Sequence, residues 1–404
     1  MDNVLKAVVE ADQGRRRFIQ GVLDGAIRNL IWQTSLQMNQ IYGVESPIKK
    51  NFFRMTFNEI EAECAHLGVS AMHARDLFRS AYKEGSLTPW TRSGIPKSYA
   101  THCNQFYVEP RLHIATEHRS QYDGSVKFVL ELEDQRQIEM VLMPESKRVT
   151  LCISSQVGCA QGCIFCHTGR MGLVRNLDAS EIVGQVWMAS QWIDQHPEWL
   201  MANRLPSRQR ITNIVFMGMG EPLDNVDAVN KAISILTNPF GMNLAKRRIS
   251  VSTAGHLEGL ESLMTAHPDA RLAVSIHSAF DSERSKIMPI NRKWPLESLI
   301  QKIRSSEALQ KNGVLLQYTL ISGVNDSIDH ARKLIELVKG MNVKINIIPL
   351  NPIGPSRLTG PKAERLAEFR DEIFRSGLRV MVRYSKGQDI AAACGQLVVQ
   401  PKNQ

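Results

Sequence analysis

The sequence predicts an α/β protein built on a parallel sheet, preceded by a small helical module and a β-hairpin. Three stretches of differing hydrophobic period predict it. Up to about residue 105 apolar side chains recur at helical spacing. From about 106 the period changes to two, with one alternating run on each side of a polar turn. From about 148 onward short apolar strands alternate with helical patterns. Such alternation places parallel strands side by side with helices outside, as a barrel or as an open doubly wound sheet.

The elements follow in order. In residues 1–50, Val4, Val8, Phe18, Val22, Ile27, Leu30 and Ile31 have helical spacing, and Glu45-Ser46-Pro47 reads as a break. Thr56-Phe-Asn-Glu59 offers a capping box for a helix that ends near Gly68, and a further helix covers Ala71 to Tyr82. Val126 to Leu132 and Gln137 to Met143 flank the turn Glu133-Asp134-Gln135 as a hairpin. Parallel strands are expected at Val149–Ser154, Ile211–Met217, Arg248–Ser252, Leu272–Ile276, Leu315–Leu320, Lys344–Ile348 and Arg379–Arg383. The box Asp178-Ala-Ser-Glu181 starts a helix over Ser180–Ile193, and residues 194–210 read as a polar surface insertion. The expected organisation is a helical extension (1–50), a helical accessory domain (51–105), a hairpin region (106–147), the sheet domain (148–397) and a tail (398–404).

Composition narrows the class. A 404-residue chain with 43% hydrophobic and 22% charged residues is long enough for a large core. No stretch approaches the roughly 18 apolar residues of a membrane helix, and the acidic residues Asp2, Glu10 and Asp12 do not suit a secretory leader. Three of seven cysteines are packed together, which fits a reducing compartment, the cytoplasm, better than a disulfide scaffold. The net charge of +9 favours a polyanionic partner, nucleic acid above all. The basic runs Arg15-Arg16-Arg17, Lys49-Lys50, Lys246-Arg247-Arg248 and Arg284 through Lys293 each suit a solvated face, and together they tilt toward phosphate contact.

Cys159-Ala-Gln-Gly-Cys163-Ile-Phe-Cys166 is the densest chemical feature. Structural zinc usually takes four ligands in two separated pairs, and ferredoxin clusters take four thiolates. Three close cysteines suggest a 4Fe-4S cluster with one iron open to a small molecule; a zinc site completed by His167 and plain buried thiols are the competing readings. The spacing resembles the signature of radical S-adenosylmethionine (SAM) enzymes, in which the amino and carboxylate groups of SAM chelate the open iron.

In a parallel sheet the carboxyl ends of strands carry the site. Gly218-Met-Gly220-Glu221, Ser252, Ser275-Ile276-His277 and Asn351 all fall at such ends. Each singly suits a turn or a satisfied loop; jointly they suit a ligand at the sheet's mouth. Cys152 lies in a strand and suits a small buried residue, Cys394 lies in a small-residue segment and could be reactive, and Cys64 and Cys103 read as structural.

Thr150 through Cys159, Arg175-Asn-Leu, Gly218 through Leu223, Ser275-Ile-His277, Pro289-Ile-Asn291 and Ala393-Cys394-Gly-Gln-Leu together resemble the RlmN/Cfr family of radical SAM RNA adenosine methyltransferases, over about residues 55–397. The resemblance implies an incomplete parallel β/α (TIM-like) barrel with a small N-terminal accessory domain. It implies that Cys159, Cys163 and Cys166 ligate a 4Fe-4S cluster, and that Gly220, Glu221, Ser252, Ser275, Ile276, His277 and Asn351 contact SAM. It makes Cys394 the methyl-carrying thiol, Cys152 its disulfide partner and Glu139 the general base. The implied activity is methylation of adenosine carbon 2 in 23S rRNA, and in tRNA, with two SAM per turnover; carbon 8 methylation is the close alternative. The implied partners are RNA and an electron donor such as flavodoxin or ferredoxin, with the chain a monomer and no membrane involved. His167 through Arg170, the insertion at 194–210 and the first 50 residues depart from the family pattern and bear on substrate handling. A non-catalytic iron–sulfur or zinc RNA-binding module would need neither Cys394 nor Glu139. A radical SAM enzyme of a protein or small molecule would not need the basic runs or the Cys152/Cys394 pair.

Overall fold

The structure, a computed structural model, describes residues 50–108, 112–354 and 356–399. The helical spacing and break expected in residues 1–49 lie outside the described residues. The described residues from 51 to 399 belong to one compact unit.

Two helices open it, α1 (Phe57–His66) and α2 (Ala71–Tyr82), followed by α3 (Lys97–Phe106). The Thr56 box closes as the sequence requires: Glu59 N donates to Thr56 Oγ1 at 3.3 Å, and Thr56 N donates to Glu59 Oε2 at 2.7 Å. Apolar faces of this module bury Phe52, Phe53, Leu77, Phe78, Tyr82 and Trp90. Phe53 meets Trp187 edge-on at 6.5 Å, so the module packs onto the helix that follows the cysteine loop.

A 10-stranded sheet forms the frame. In chain order the strands are β1 (His113–Arg119), β2 (Val126–Glu131), β3 (Gln137–Glu145), β4 (Arg148–Cys152), the small pair β5 (Gln156–Cys159) and β6 (Gly172–Asn176), then β7 (Asn213–Phe216), β8 (Ile249–Thr253), β9 (Arg271–Ser275), β10 (Val314–Leu320), β11 (Val343–Pro349) and β12 (Arg379–Val382). Strands β1 to β4 pair antiparallel. From β4 the pairing runs parallel through β7 and on to β12, each strand beside its successor. A doubly wound sheet reverses its strand order at a switch point. No reversal occurs here, and residues at the ends of β7 through β11 line one cleft, so the sheet curls as an incomplete barrel. Every strand expected from the apolar runs is present, within a few residues at each end. The edge strand β1 lies in the stretch expected to have period two but is largely exposed, so no apolar run singled it out, and β5 and β6, of only 4 and 5 residues, had no clear period to announce them.

The helices α4 (Ala179–Gln195), α5 (Val226–Thr237), α6 (Leu257–Ala266), α7 (Leu296–Ser305), α8 (Ile328–Leu337) and α9 (Ala363–Arg375) connect the parallel strands. Asp178 caps α4, with Glu181 N donating to its Oδ1 at 3.0 Å. Residues 194–210 are not wholly a polar surface insertion. A short helix at Pro197–Ala202 buries Trp199 and Leu200, and the Trp199 indole donates to the Gly124 carbonyl at 2.9 Å. The strands alternate as the pleat demands. Val251, Val274, Leu316, Tyr318 and Ile347 are buried in the main core, while Ser252, Ser275, Gln317, Thr319 and Ile348 line the cleft. A fully buried parallel strand would be apolar on both faces. The polar inner face therefore marks where the barrel stops being scaffold.

Candidate active site

The cleft opens at the carboxyl ends of the strands, with about 900 Å³ of empty space when its open mouth is included. It gathers residues that are distant in sequence: Cys159, Cys163 and Cys166, Gly220 and Glu221, Ser252, Ser275 and His277, Asn351 and Cys394 all line it. Of the residues singled out in the sequence, Ile276, Cys152 and Glu139 do not line this cleft.

The cysteine loop is fixed by backbone. Strand β5 runs out of β4 through Ile153–Ser155, whose amides and carbonyls are held: Ile153 N donates to Val215 O, Ser155 N to Met219 O and Gly218 N to Ile153 O, at 3.0, 2.9 and 3.0 Å. The Gln185 side chain brackets Ser154, accepting from its N at 2.8 Å and donating to its O at 2.9 Å. Cys159 ends β5, Ile164 N donates to Ile287 O at 3.2 Å, and Phe165 meets His277 edge-on at 4.7 Å. Burial pushes the Cys159 thiol up to about 12, and raises those of Cys163 and Cys166. Buried thiols give up their protons readily only to a metal. Among the described residues no three His, Cys, Asp or Glu side chains converge on a single metal-ion position. Three soft thiols lining one cleft suit a polynuclear iron–sulfur cluster.

Glu221 faces these cysteines. Its Oε2 accepts from Ala254 N at 2.7 Å and its Oε1 from Leu223 N at 3.1 Å, which aims the carboxylate from a buried seat. Burial raises its pKa to about 7. An arriving ammonium would replace the lost hydration and restore the charged form. Gly220 has φ +101°, and a Cβ there would lie 2.6 Å from the Gln156 Cβ. The glycine thus answers a close approach by protein, and Glu221 N completes the joint by donating to Gln156 Oε1 at 2.8 Å.

His277 stands at φ +56°, just past β9. Thr319 N donates to its Nδ1 at 2.8 Å, so the neutral ring carries its proton on Nε2. Burial, with repulsion from Arg284, lowers its pKa to about 3. The ring is a permanently neutral donor. Ser252 Oγ donates to Gln317 Oε1 at 3.3 Å, and both line the cleft. Ile276 is buried, its N–H given to Gln317 O at 2.9 Å and its O accepting from Arg284 Nε at 3.0 Å.

Cys394 lies in a C-terminal strap over the cleft. It also lines a smaller adjoining cavity with Cys152, Met217 and Arg383. Burial first, then the neighbouring Cys394, pushes the Cys152 thiol up to about 12; both thiols are free. Asn351, expected to touch a ligand, spends its amide on the strap: Nδ2 donates to Cys394 O at 3.0 Å and Ser385 Oγ at 2.9 Å, and Oδ1 accepts from Gln388 Nε2 at 3.2 Å. Glu139 sits on β3, buried, with a pKa raised by burial against the pull of Lys127.

The sequence reading missed Gln317, Thr319 and Met217, whose signal was polar or soft residues on the inner phase of the strands. Within the basic run from Arg284 to Lys293, Lys286, Arg292 and Lys293 are exposed as a solvated face requires, but Arg284 is not. Arg284 is fully buried, donating to Ile276 O, Asn291 Oδ1, Ala254 O and Ser275 O, and so ties two strand ends to the 289–292 turn. Its position three residues before buried Ile287 on one helix was the available cue. Lys246, Arg247 and Arg248 are exposed but precede β8, at the end of the sheet opposite the cleft.

Comparison with known proteins agrees with this geometry. Residues 153–337 match the radical SAM superfamily. A dual-specificity RNA methyltransferase RlmN of Bdellovibrio bacteriovorus is 37% identical over 86% of this chain and 83% of its own, and one of Campylobacter lari is 36% identical over 86% and 97%. A crystal structure of a radical SAM methyltransferase from Sphaerobacter thermophilus superimposes with a TM-score of 0.78 at 36% identity, over 87% of this chain and 99% of that one.

Proposed function

The chain belongs to the RlmN family of radical SAM RNA methyltransferases, and from that premise we propose that it methylates carbon 2 of an adenosine in 23S rRNA, and in tRNA, through a methyl group carried on Cys394. The observation that carries the reading is one thiol with two addresses. Cys394 lines the cleft with the cysteine loop and Glu221, and it lines the second cavity with Cys152.

Cys159, Cys163 and Cys166 would hold the 4Fe-4S cluster, and Glu221, Ser252, Ser275 and His277, which line the same cleft, would receive SAM. When bound, these groups supply a methyl cation equivalent and, after one-electron reduction, a hydrogen-abstracting radical. Adenine carbon 2 is neither acidic nor nucleophilic, so the protein's task is to present a carbon radical on sulfur at the ring. Glu221 orients the ammonium, and neutral His277 donates from Nε2 without adding charge. Cys394 Sγ accepts the methyl group and, after hydrogen loss, links its carbon to the base. Glu139 takes the proton from the ring carbon, and the one unpaired electron left on the ring would return to the cluster, so that a closed-shell thioether joins Cys394 to the base. Cys152 Sγ then attacks Cys394 Sγ: the S–S bond forms, the S–C bond breaks, and its electron pair passes to carbon, which takes a proton and leaves as a methyl group. The base must leave its stack to reach the barrel mouth. A flavodoxin or ferredoxin supplies the electron, and the chain, which holds all these groups itself, acts as a cytoplasmic monomer. No described helix is long and apolar enough to cross a membrane.

Mass spectrometry of digested ribosomal RNA and tRNA, from cells with and without the gene, tests the reading. Loss of 2-methyladenosine is expected. Loss of 8-methyladenosine, or no change, would overturn it.

A further inference from the structure

We propose that Lys127 is a positioning residue which, paired with Glu139, latches the strap that carries Cys394. This rests on the role proposed for Cys394. Lys127 stands on β2 and Glu139 on the neighbouring strand β3, in the antiparallel frame beside the barrel. Lys127 Nζ lies 3.0 Å from Glu139 Oε1, with the two side chains 10% and 2% exposed. A buried charge pair needs its remaining hydrogen-bonding capacity satisfied. Here both partners satisfy it on the same segment. Lys127 Nζ donates to Ala391 O at 3.3 Å, and Val398 N donates to Glu139 Oε2 at 2.8 Å.

Those two backbone groups bracket Cys394, three residues after Ala391 and four before Val398. One ion pair thus grips both ends of the short segment that presents the thiol. Ala391 is held at φ +50°, a conformation costly for a residue with a Cβ, which the surroundings must enforce. The latch also occupies the proposed base. Glu139 has one oxygen on Lys127 and one on the strap, so movement of the strap frees Oε2 in the same event that frees Cys394. Thiol transfer and availability of the base are mechanically linked.

Removing the ammonium leaves Glu139 buried and unpaired, and loosens both strap ends. The test is hydrogen exchange, read by mass spectrometry on the cluster-loaded full-length enzyme, with Lys127→Met and Lys127→Arg. In Lys127→Met, amides of 391–398 should exchange about tenfold faster, while those of 159–166 do not change. Lys127→Arg, which still reaches both partners, should return the strap close to the parent rate. Methylation of Cys394 by SAM should slow in Lys127→Met at saturating SAM, with KM for SAM unchanged. Unchanged exchange at 391–398 overturns the proposal. So does faster exchange spread over the whole chain without rescue by Lys127→Arg, since Lys127 would then serve only core stability. Should Lys127→Met fold poorly, the Lys127→Met/Glu139→Gln pair removes both charges and keeps an acceptor for Val398 N; strap exchange indistinguishable from the parent would again overturn the latch. If the parent itself never methylates Cys394, the proposed function fails while exchange still reads the latch.

Discussion

The cysteine loop and the C-terminal strap both bring cysteines to one cleft, and they are held by different means. The loop grows from the sheet: β4 feeds β5, β5 pairs with β6, and backbone bonds to Val215, Met219 and Ile287 close it. The strap hangs largely on side chains: Asn351, the Lys127–Glu139 pair, Thr168 Oγ1 on Leu397 O at 2.7 Å, and Asp123 Oδ2 on Gly387 N at 2.8 Å. Backbone ladders are cooperative, whereas side-chain pins break one at a time. Thiols that ligate need a fixed wall. A thiol that visits two partners needs pins that release. The difference fits the roles proposed for these cysteines, three as ligands and Cys394 as carrier.

The largest expected effect lies on the fixed side. Replacing Cys163 by Ala should abolish the cluster, seen as loss of its visible absorption and bound iron, because two thiolates cannot replace three. Strap exchange should barely change; a variant that loses the cluster and loosens 391–398 equally would erase the contrast between the two regions. Next comes the hanging side. Asn351→Ala removes bonds to Cys394 O, Ser385 and Gln388 together. It should cost about 1–3 kcal/mol in denaturant unfolding and slow Cys394 methylation while leaving iron content intact. Full activity in this variant would show that Asn351 does not position the thiol.

The smallest effect is a pH dependence on the fixed side. Unfolded, His277 has the ordinary pKa of 6.5; folded, it is about 3. Below pH 6.5 the unfolded imidazole therefore takes up a proton that the folded one refuses. Stability is complete above 6.5 and is lost as pH falls toward 3, at up to about 1.4 kcal/mol per pH unit. His277→Asn keeps an acceptor for Thr319 N and should flatten that part of the unfolding profile between pH 6 and 5. Identical slopes would contradict the buried neutral ring.

Much of the frame was legible because parallel strands announce themselves as apolar runs and helices by their caps, as Asp178 and Thr56 did. The site was legible where chemistry is local: Cys159, Cys163 and Cys166 sit within one turn-sized segment, and Glu221 sits in a strand-end glycine motif. The choice between barrel and doubly wound sheet was not legible from pattern, since strand order is a long-range property. Nor was the burial of Arg284, because a basic residue inside a basic run carries no mark of which face it takes. Lys127 and Asn351 were opaque in role for the same reason. Their partners, Ala391 and Cys394, lie 264 and 43 residues away in the chain.

The most direct test of a carrier thiol with two addresses is a Cys152→Ala variant incubated with SAM, reductant and RNA. Without Cys152 the bond between Cys394 and the base cannot be resolved. Mass spectrometry of the digested protein should find a nucleotide joined through one carbon to Cys394. No adduct, or an adduct on another residue, would contradict the account.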